Sequence, residues 1–434
     1  MPDFILTMNI VEGPVIITFV LLSLALIVYL LVRRPTVIWL LSALVGVLAG
    51  ACIALLTVFL TDQVWDLFGT QFLPETTTWI VLTFSAVGLA VASMFGARWW
   101  RRVIAGVAIV VFVLTGTLGV NASIGITKTI AALIGIDTSK PLDVPDANGT
   151  HPSTPAPSGP LYQSWNPPST MPSEGTVGSI DIPNTNSGFD ARKALAYVPP
   201  AGLVQGAPTL PVIIQLNGLP GSPGLDDPKQ ILDKLASNNK GLAPIVINPD
   251  QLGSSTTDPL CLDVTSYGKV ETYIMKDVVP YVKAHFNVSQ DPKDWTILGF
   301  SNGGECAAYF GAKYPSVFGN IVDISGDEYP GVDDKSVVKK YFDGDQSAYE
   351  ATWPAKIFAK GSYPDTTAVF TVGALDTEAG PGVQRTYDAA VKAGVNATFT
   401  EIAGAGHDGS ALDAGLLAGY DALYPRLGLS KGTP

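Results

Sequence analysis

Charge is scarce in this chain, and basic charge is the scarcer kind. Only 15% of its 434 residues are charged, and 26 Lys and Arg face 38 Asp and Glu, for a formal net charge of -12. A nucleic-acid partner calls for a basic surface to replace the counterions of its phosphates, so that class is excluded. Histidine and cysteine number three each. A histidine-dependent chemistry therefore has few positions from which to draw its base. No internal repeat is apparent, which leaves repeat architectures aside.

What the chain has in excess is apolar residues, at 47%. Four apolar runs occupy its first third, at about 16–32, 37–60, 79–95 and 103–120. Each has the roughly 20 residues that a helix needs to cross a ~30 Å hydrocarbon core, so they predict a four-span transmembrane domain over 1–125. The first run lacks a basic start, and Arg33 and Arg34 follow it, so it reads as a retained span and not a signal peptide. Apart from residues near their ends, the runs hold no Asp, Glu, Lys, Arg or His. An ion or proton path needs such groups, so an anchor or lipid-docking platform is expected.

Arg33 and Arg34 lie between the first two runs, and Arg98, Arg101 and Arg102 between the last two, whereas "TDQVWDLFGTQFLPET" in the middle has no Lys or Arg. The positive-inside bias then puts both basic loops in the cytoplasm and both termini outside a cell membrane. Residues 126–175 follow, rich in Pro and Ser from about Asp137 on, as in "HPSTPAPSGP" and "NPPSTMPSEG". That composition predicts an extended extracytoplasmic linker. Cys52 lies in the second run, while Cys261 and Cys306 lie beyond the linker. In an oxidising compartment that pair is a disulfide candidate, although two buried thiols would give the same count.

From 176 to 434 short β-branched runs alternate with helical ones. "KALAYVPP", "TLPVIIQLNG", "LAPIVINPD", "WTILGF", "FGNIVDISG", "TAVFTVGALD" and "ATFTEIAGAGH" read as strands. "LDDPKQILDKLASNNK", "VETYIMKDVVPYVKAHF", "GGECAAYFGAKYP" and "GVQRTYDAAVKAG" read as helices. The alternation predicts an α/β fold, a mainly parallel sheet flanked by helices with its site beyond the carboxyl ends of the strands.

One of those ends reads "WTILGFSNGGECAAYF". Gly299, Ser301 and Gly303 spell G-x-S-x-G between a strand and a helix, the context of a nucleophile elbow, with Gly304 a further small position. A glycine-rich turn would explain the glycines alone. A nucleophilic Ser301 needs a base. His151 falls in the linker and His285 near a helix end, which leaves His407 in "GAGHDGSAL" after the last strand. The acid belongs at the end of an intervening strand, where Asp376 in "VFTVGALDTE" stands, with Glu378 the alternative. Two backbone N–H groups must meet the developing oxyanion. One is expected from Asn302, and the other from Leu219 in "LNGLPG", since Pro220 has no N–H to give.

These segments, over roughly 211–420, resemble the putative-esterase group of α/β-hydrolases that includes the antigen 85 mycolyltransferases. The likeness rests on "LNGLPG", "ETYIMKDVVPYV", "GFSNGGECAAYFGAKYPSVFGNIVDISG" and "GAGHDGSAL". It implies Ser301 as nucleophile, His407 as base, an acid near Asp376, and an oxyanion hole at Leu219 and Asn302. A helical membrane anchor before such a domain looks like an actinobacterial envelope enzyme. Mycolyltransferases differ in carrying an acid where this chain has Asn217, an arginine at Pro220 and Gly221, and a tryptophan near Gly409 and Ser410, positions that help hold trehalose.

The expectation is a membrane-anchored extracytoplasmic serine ester hydrolase working through an acyl-enzyme on an envelope lipid or lipid-conjugate ester, for which aminoacyl-phospholipids suit the geometry. Alternatives are a mycolyl-type acyltransferase with a sugar hydroxyl as acceptor, and an inactive membrane scaffold. No cofactor or metal is required, and the expected partners are membrane lipids and an acyl-ester substrate. The sequence assigns no protein partner.

Overall fold

The computed structural model describes residues 3–33, 36–65, 72–134, 138–143, 159–264, 266, 268–332 and 334–432. It divides into two units, Met1–Thr138 and Ser139–Pro434. The expected basic residue Arg34, the linker histidine His151 and much of the Pro-rich run lie outside the described residues.

Among its described residues the first unit holds four helices long and apolar enough to cross a membrane: α1 (Pro14–Leu31), α2 (Val37–Phe59), α3 (Pro74–Met94) and α4 (Trp99–Ile124). Proline in the first turn opens α1 and α3, where the missing N–H costs no helical bond. Thr36 caps α2 by accepting from the Trp39 N–H, and Gly125 ends α4 in the left-handed region at φ 75°. The proline start lets α3 begin earlier than hydropathy alone predicts, and α4 runs past its apolar stretch at both ends.

Large apolar side chains such as Leu40, Leu41 and Leu44 point outward, each more than half exposed, as lipid-facing residues would. Contact between α2 and α3 is instead made by Gly46, Gly50 and Gly88, where an added Cβ would overlap the opposite backbone carbonyl. Arg33 donates to the carbonyls of Phe95 and Gly96, and Arg101 to those of Tyr29 and Val32, so these cations sit on carbonyls near helix ends.

The second unit is built on an eight-stranded sheet. Its strands are β1 (Thr176–Ile180), β2 (Ala194–Val198), β3 (Val212–Leu216), β4 (Ile245–Asn248), β5 (Trp295–Phe300), β6 (Asn320–Ile324), β7 (Thr367–Gly373) and β8 (Asn396–Ile402). Their order is β1-β2-β4-β3-β5-β6-β7-β8. All pairings from β4 to β8 are parallel, and β1–β2 and β2–β4 are antiparallel. β2 to β6 are buried throughout, consistent with their near-continuous apolar sequences.

Helices follow the strands: α5 (Asp226–Asn238), α6 (Val279–His285), α7 (Asn302–Lys313), α8 (Val337–Tyr341), α9 (Gln346–Glu350), α10 (Pro354–Phe358), α11 (Ala379–Lys392) and α12 (Gly409–Arg426). The helix expected over "VETYIMKDVVPYVKAHF" is present, but it widens into a π segment at Tyr273–Val278 before α6. The chain runs from β3 to β4 on one side and then to β5 on the other side of β3. Order thus reverses at the β3/β5 pair, the position where such sheets open a crevice beyond their carboxyl ends.

The expected linker over 126–175 needs correction in its described parts. The Leu142 N–H donates to Ser179 and the Ser179 N–H to Lys140, so this segment extends the sheet edge. Further on, the Tyr162 N–H donates to Gly428, the Trp165 indole donates to Lys240, and Leu161, Tyr162, Trp165 and Met171 pack on the core. Their buried apolar surface offsets an ordering entropy that the Pro/Ser composition alone could not.

Candidate active site

Ser301 stands between β5 and α7 with φ 56° and ψ -125°, a backbone conformation that only a tightly supported turn holds for a residue with a side chain. Three glycines give that turn its room. An added Cβ at Gly299 would strike the Gly303 backbone, one at Gly303 would strike the carbonyls of Leu216 and Asn217, and one at Gly304 would strike Asp323 and Gly326. The Ser301 N–H donates to the Ile324 carbonyl at 2.9 Å, and its own carbonyl accepts from Gly304 and Glu305 as α7 begins.

The structure brings Ser301, His407 and Asp376 together. Nε2 of His407 lies 2.8 Å from the Ser301 hydroxyl, and Nδ1 lies 2.7 Å from Oδ2 of Asp376. A carboxylate only accepts, so Nδ1 carries the proton and Nε2 is left as the acceptor for the serine proton. The other Asp376 oxygen accepts from the Ala379 N–H at 3.1 Å, which fixes the carboxylate at the end of β7. Glu378 instead precedes α11 as its N-cap, so Asp376 is the acid that reaches the ring.

Burial of the imidazole disfavours its cation, but the hydrogen bond and charge of Asp376 outweigh it, and the His407 pKa is raised from 6.5. Phe300 flanks the ring, with centroids 5.1 Å apart. Asp408, next to His407, caps α12 through the Ser410 and Ala411 N–H groups and accepts from Gly406, so the histidine loop is held on both sides. The remaining described histidine, His285, bonds the Tyr281 carbonyl on its own helix and stacks on that tyrosine, away from this group.

Leu216 pairs with Gly299 in the β3/β5 register, which brings the loop 217–221 alongside Ser301. An added Cβ at Gly218 would come 3.5 Å from that of Ser301. Asn302 leads α7 and Leu219 lies in this loop; among the described residues neither N–H meets a backbone acceptor. The loop is gripped by residues that carry no motif. Gln251 accepts from the Asn217 N–H and donates to its carbonyl at 2.6 Å. Arg192 bonds Asp250 through two nitrogens and donates to Gly221, whose N–H meets Ser255. Only the positions of these residues in space, not their spacing, could have found them.

Cys261 and Cys306 form a disulfide with Cα atoms 5.7 Å apart. It ties the loop before the π segment to α7. Cys52 of the first unit is an exposed free thiol.

A nucleophile elbow after β5, an acid after β7 and a histidine after β8 on a mainly parallel sheet define an α/β-hydrolase. Residues 190–378 match the family described as "Putative esterase", a range that takes in Ser301 and Asp376 and stops before His407. Residues 190–378 thus fit the putative-esterase family of α/β-hydrolases. An uncharacterized protein of Corynebacterium glutamicum is 32% identical over 264 residues, 58% of this chain and 61% of that protein. The chain therefore spans less than two thirds of the length of that relative. Among solved structures, a ferulic acid esterase is similar at 17% identity, with a TM-score of 0.49 and coverage of 58% of this chain and 99% of that one. An S-formylglutathione hydrolase from Agrobacterium tumefaciens is similar at 18% identity, with a TM-score of 0.49 and coverage of 59% and 97%.

Proposed function

We propose that the chain is a membrane-anchored serine hydrolase whose second unit lies outside the cell membrane and cleaves esters of an envelope lipid or lipid conjugate. The observation that carries this reading is the hydrogen-bonded series from Ser301 through His407 to Asp376. Four apolar helices support the anchor. The Cys261–Cys306 disulfide supports the outward placement, since such bonds persist in oxidising compartments.

In the proposed cycle the Ser301 oxygen attacks the ester carbonyl while its proton passes to Nε2 of His407. The carbonyl oxygen becomes an anion facing the N–H groups of Leu219 and Asn302. The imidazolium, stabilised by Asp376, returns the proton to the departing alcohol and leaves an acyl group on Ser301. Water then enters, gives a proton to His407 and releases the acid as the Ser301 oxygen recovers that proton.

Water is favoured over a sugar as acceptor by the state of Asn217. Its side chain is buried and bonded to Pro249 and Gln251, so it braces the loop and is not offered to a sugar. Labelling the full chain with a fluorophosphonate probe tests the nucleophile: Ser301→Ala must abolish labelling, and labelling that survives refutes the reading. Lipid extracts of cells with and without the protein separate the acceptors. Hydrolysis predicts that an intact ester accumulates on deletion, and transfer predicts that an acylated product disappears.

A further inference from the structure

Glu305 is a carboxyl that this chemistry leaves unused. It sits one turn into α7, its N–H donating to the Ser301 carbonyl at 3.1 Å. The residue is 1% exposed, and neither side-chain oxygen has a hydrogen-bond partner. A carboxyl buried in that way is costly unless something arrives to pair with it. Burial, with the nearby carboxylates of Asp258, Asp327 and Asp323, holds its pKa well above the ordinary carboxylate range.

Two further groups share the place. Asp258 accepts from the Asn302 side chain at 3.0 Å, beside the nucleophile. The loop carrying Asp258 is bonded by Cys261 to Cys306, the residue after Glu305, and Leu260 and Cys261 hold left-handed backbone there at φ 65° and 52°. The segment between β6 and β7 packs against this place, since an added Cβ at Gly331 would come 2.7 Å from Leu260 and one at Gly326 would come 2.7 Å from the Glu305 N; it carries aromatic rings. Tyr329 stacks on Trp353 with centroids 4.2 Å apart, and Tyr349 stands edge-on to both. Burial, then Tyr329, then the charge of Glu305, with Asp258 also contributing, raise the pKa of the Tyr349 hydroxyl.

We infer that this cluster holds a protonated amine of the substrate, so that the preferred ester carries an ammonium group close to its carbonyl. The inference rests on the serine-hydrolase reading and names the substrate class of that site. An anion would meet several carboxylates, and a neutral apolar group would leave Glu305 unpartnered. Among the described residues no three His, Cys, Asp or Glu come together as a metal site. An ammonium group brings three donors for the carboxylates and a positive charge for the ring faces.

The test uses the full chain in detergent and two ester pairs, each rate divided by the uncatalysed one. An alanyl ester against its isobutyryl isostere places the amine on the acyl half. A 2-aminoethyl ester against its propyl isostere, at a pH that keeps the amine protonated, places it on the alcohol half. One pair is expected to show kcat/KM about 30-fold higher for the cation, the size of a hydrogen-bonded charge contact. Glu305→Gln is expected to bring that ratio within about threefold. Ratios near one for both pairs in the wild type, or a ratio unchanged in Glu305→Gln, overturn the inference. Should Glu305→Gln fail to fold, wild type decides with a salt series: ethylammonium chloride must inhibit the cationic ester more than equal sodium chloride, and equal inhibition overturns it. Failure of the hydrolase reading looks different, since then neither ester of any pair is cleaved and no probe binds Ser301.

Discussion

Replacing Cys261 and Cys306 together by Ala removes the covalent tie between the Asp258 loop and the nucleophile helix. The bond closes a loop of 45 residues. Loop-closure entropy for that length is roughly 13 cal/mol/K, or about 4 kcal/mol at room temperature. Both cysteines are fully buried, so the measured loss includes any repacking of two small side chains. For a domain of this size, about 4 kcal/mol corresponds to a fall in Tm of roughly 10 °C. The assay is urea unfolding of the detergent-solubilised chain followed by tryptophan fluorescence, wild type against the double variant, with slopes compared so that a midpoint shift reads as stability. A loss below about 1 kcal/mol at equal slope would refute the argument, because the loop would then be held by its other contacts alone.

Three more outcomes follow from the site and its support. The raised His407 pKa places the acid limb of kcat/KM above the ordinary imidazole value, because only neutral His407 can take the serine proton; Asp376→Asn should lower the rate about 10²–10⁴-fold and move that limb to lower pH, and an unmoved limb would separate it from His407. Gly303→Ala would push a methyl into the Leu216 and Asn217 carbonyls, so kcat should fall at least ~100-fold and stability by about 1–3 kcal/mol; near-normal probe labelling would count against a tight elbow. Asp323 is pushed up to about 7 from 3.8, chiefly by burial. Its penalty is absent below pH 4 and grows until pH 7, so Asp323→Asn should add stability increasingly over that window, with a ceiling of ~4 kcal/mol; an equal gain in Tm at pH 5 and pH 8 would contradict the sign.

Most of the sheet was legible because its strands are buried on both faces and therefore apolar throughout, as in Val212–Leu216 and Trp295–Phe300. The histidine could be chosen by scarcity, and its ring meets the serine and acid named from chain order. β1, reading "TVGSI", was not legible, since it is five residues long and follows a Pro/Ser-rich run. The five-residue helices α8, α9 and α10 are too short to show a period. Tyr162, Trp165 and Met171 hold the run after 159 in place, yet composition averages them away. Glu305 gave no signal, because an acid in the first turns of a helix ordinarily marks an exposed complement to the dipole, and burial cannot be read from one letter.

The glycine contact between α2 and α3 sets how that helix pair tolerates change. Where most packed helices interlock bulky side chains, Gly46, Gly50 and Gly88 leave main chain lying against main chain. A methyl introduced there does not open a void or strip away greasy surface; it acts as a spacer that drives two rods apart along their length. Loss of function from such a change would then trace to a misshapen bundle in a chain whose sheet and serine are untouched.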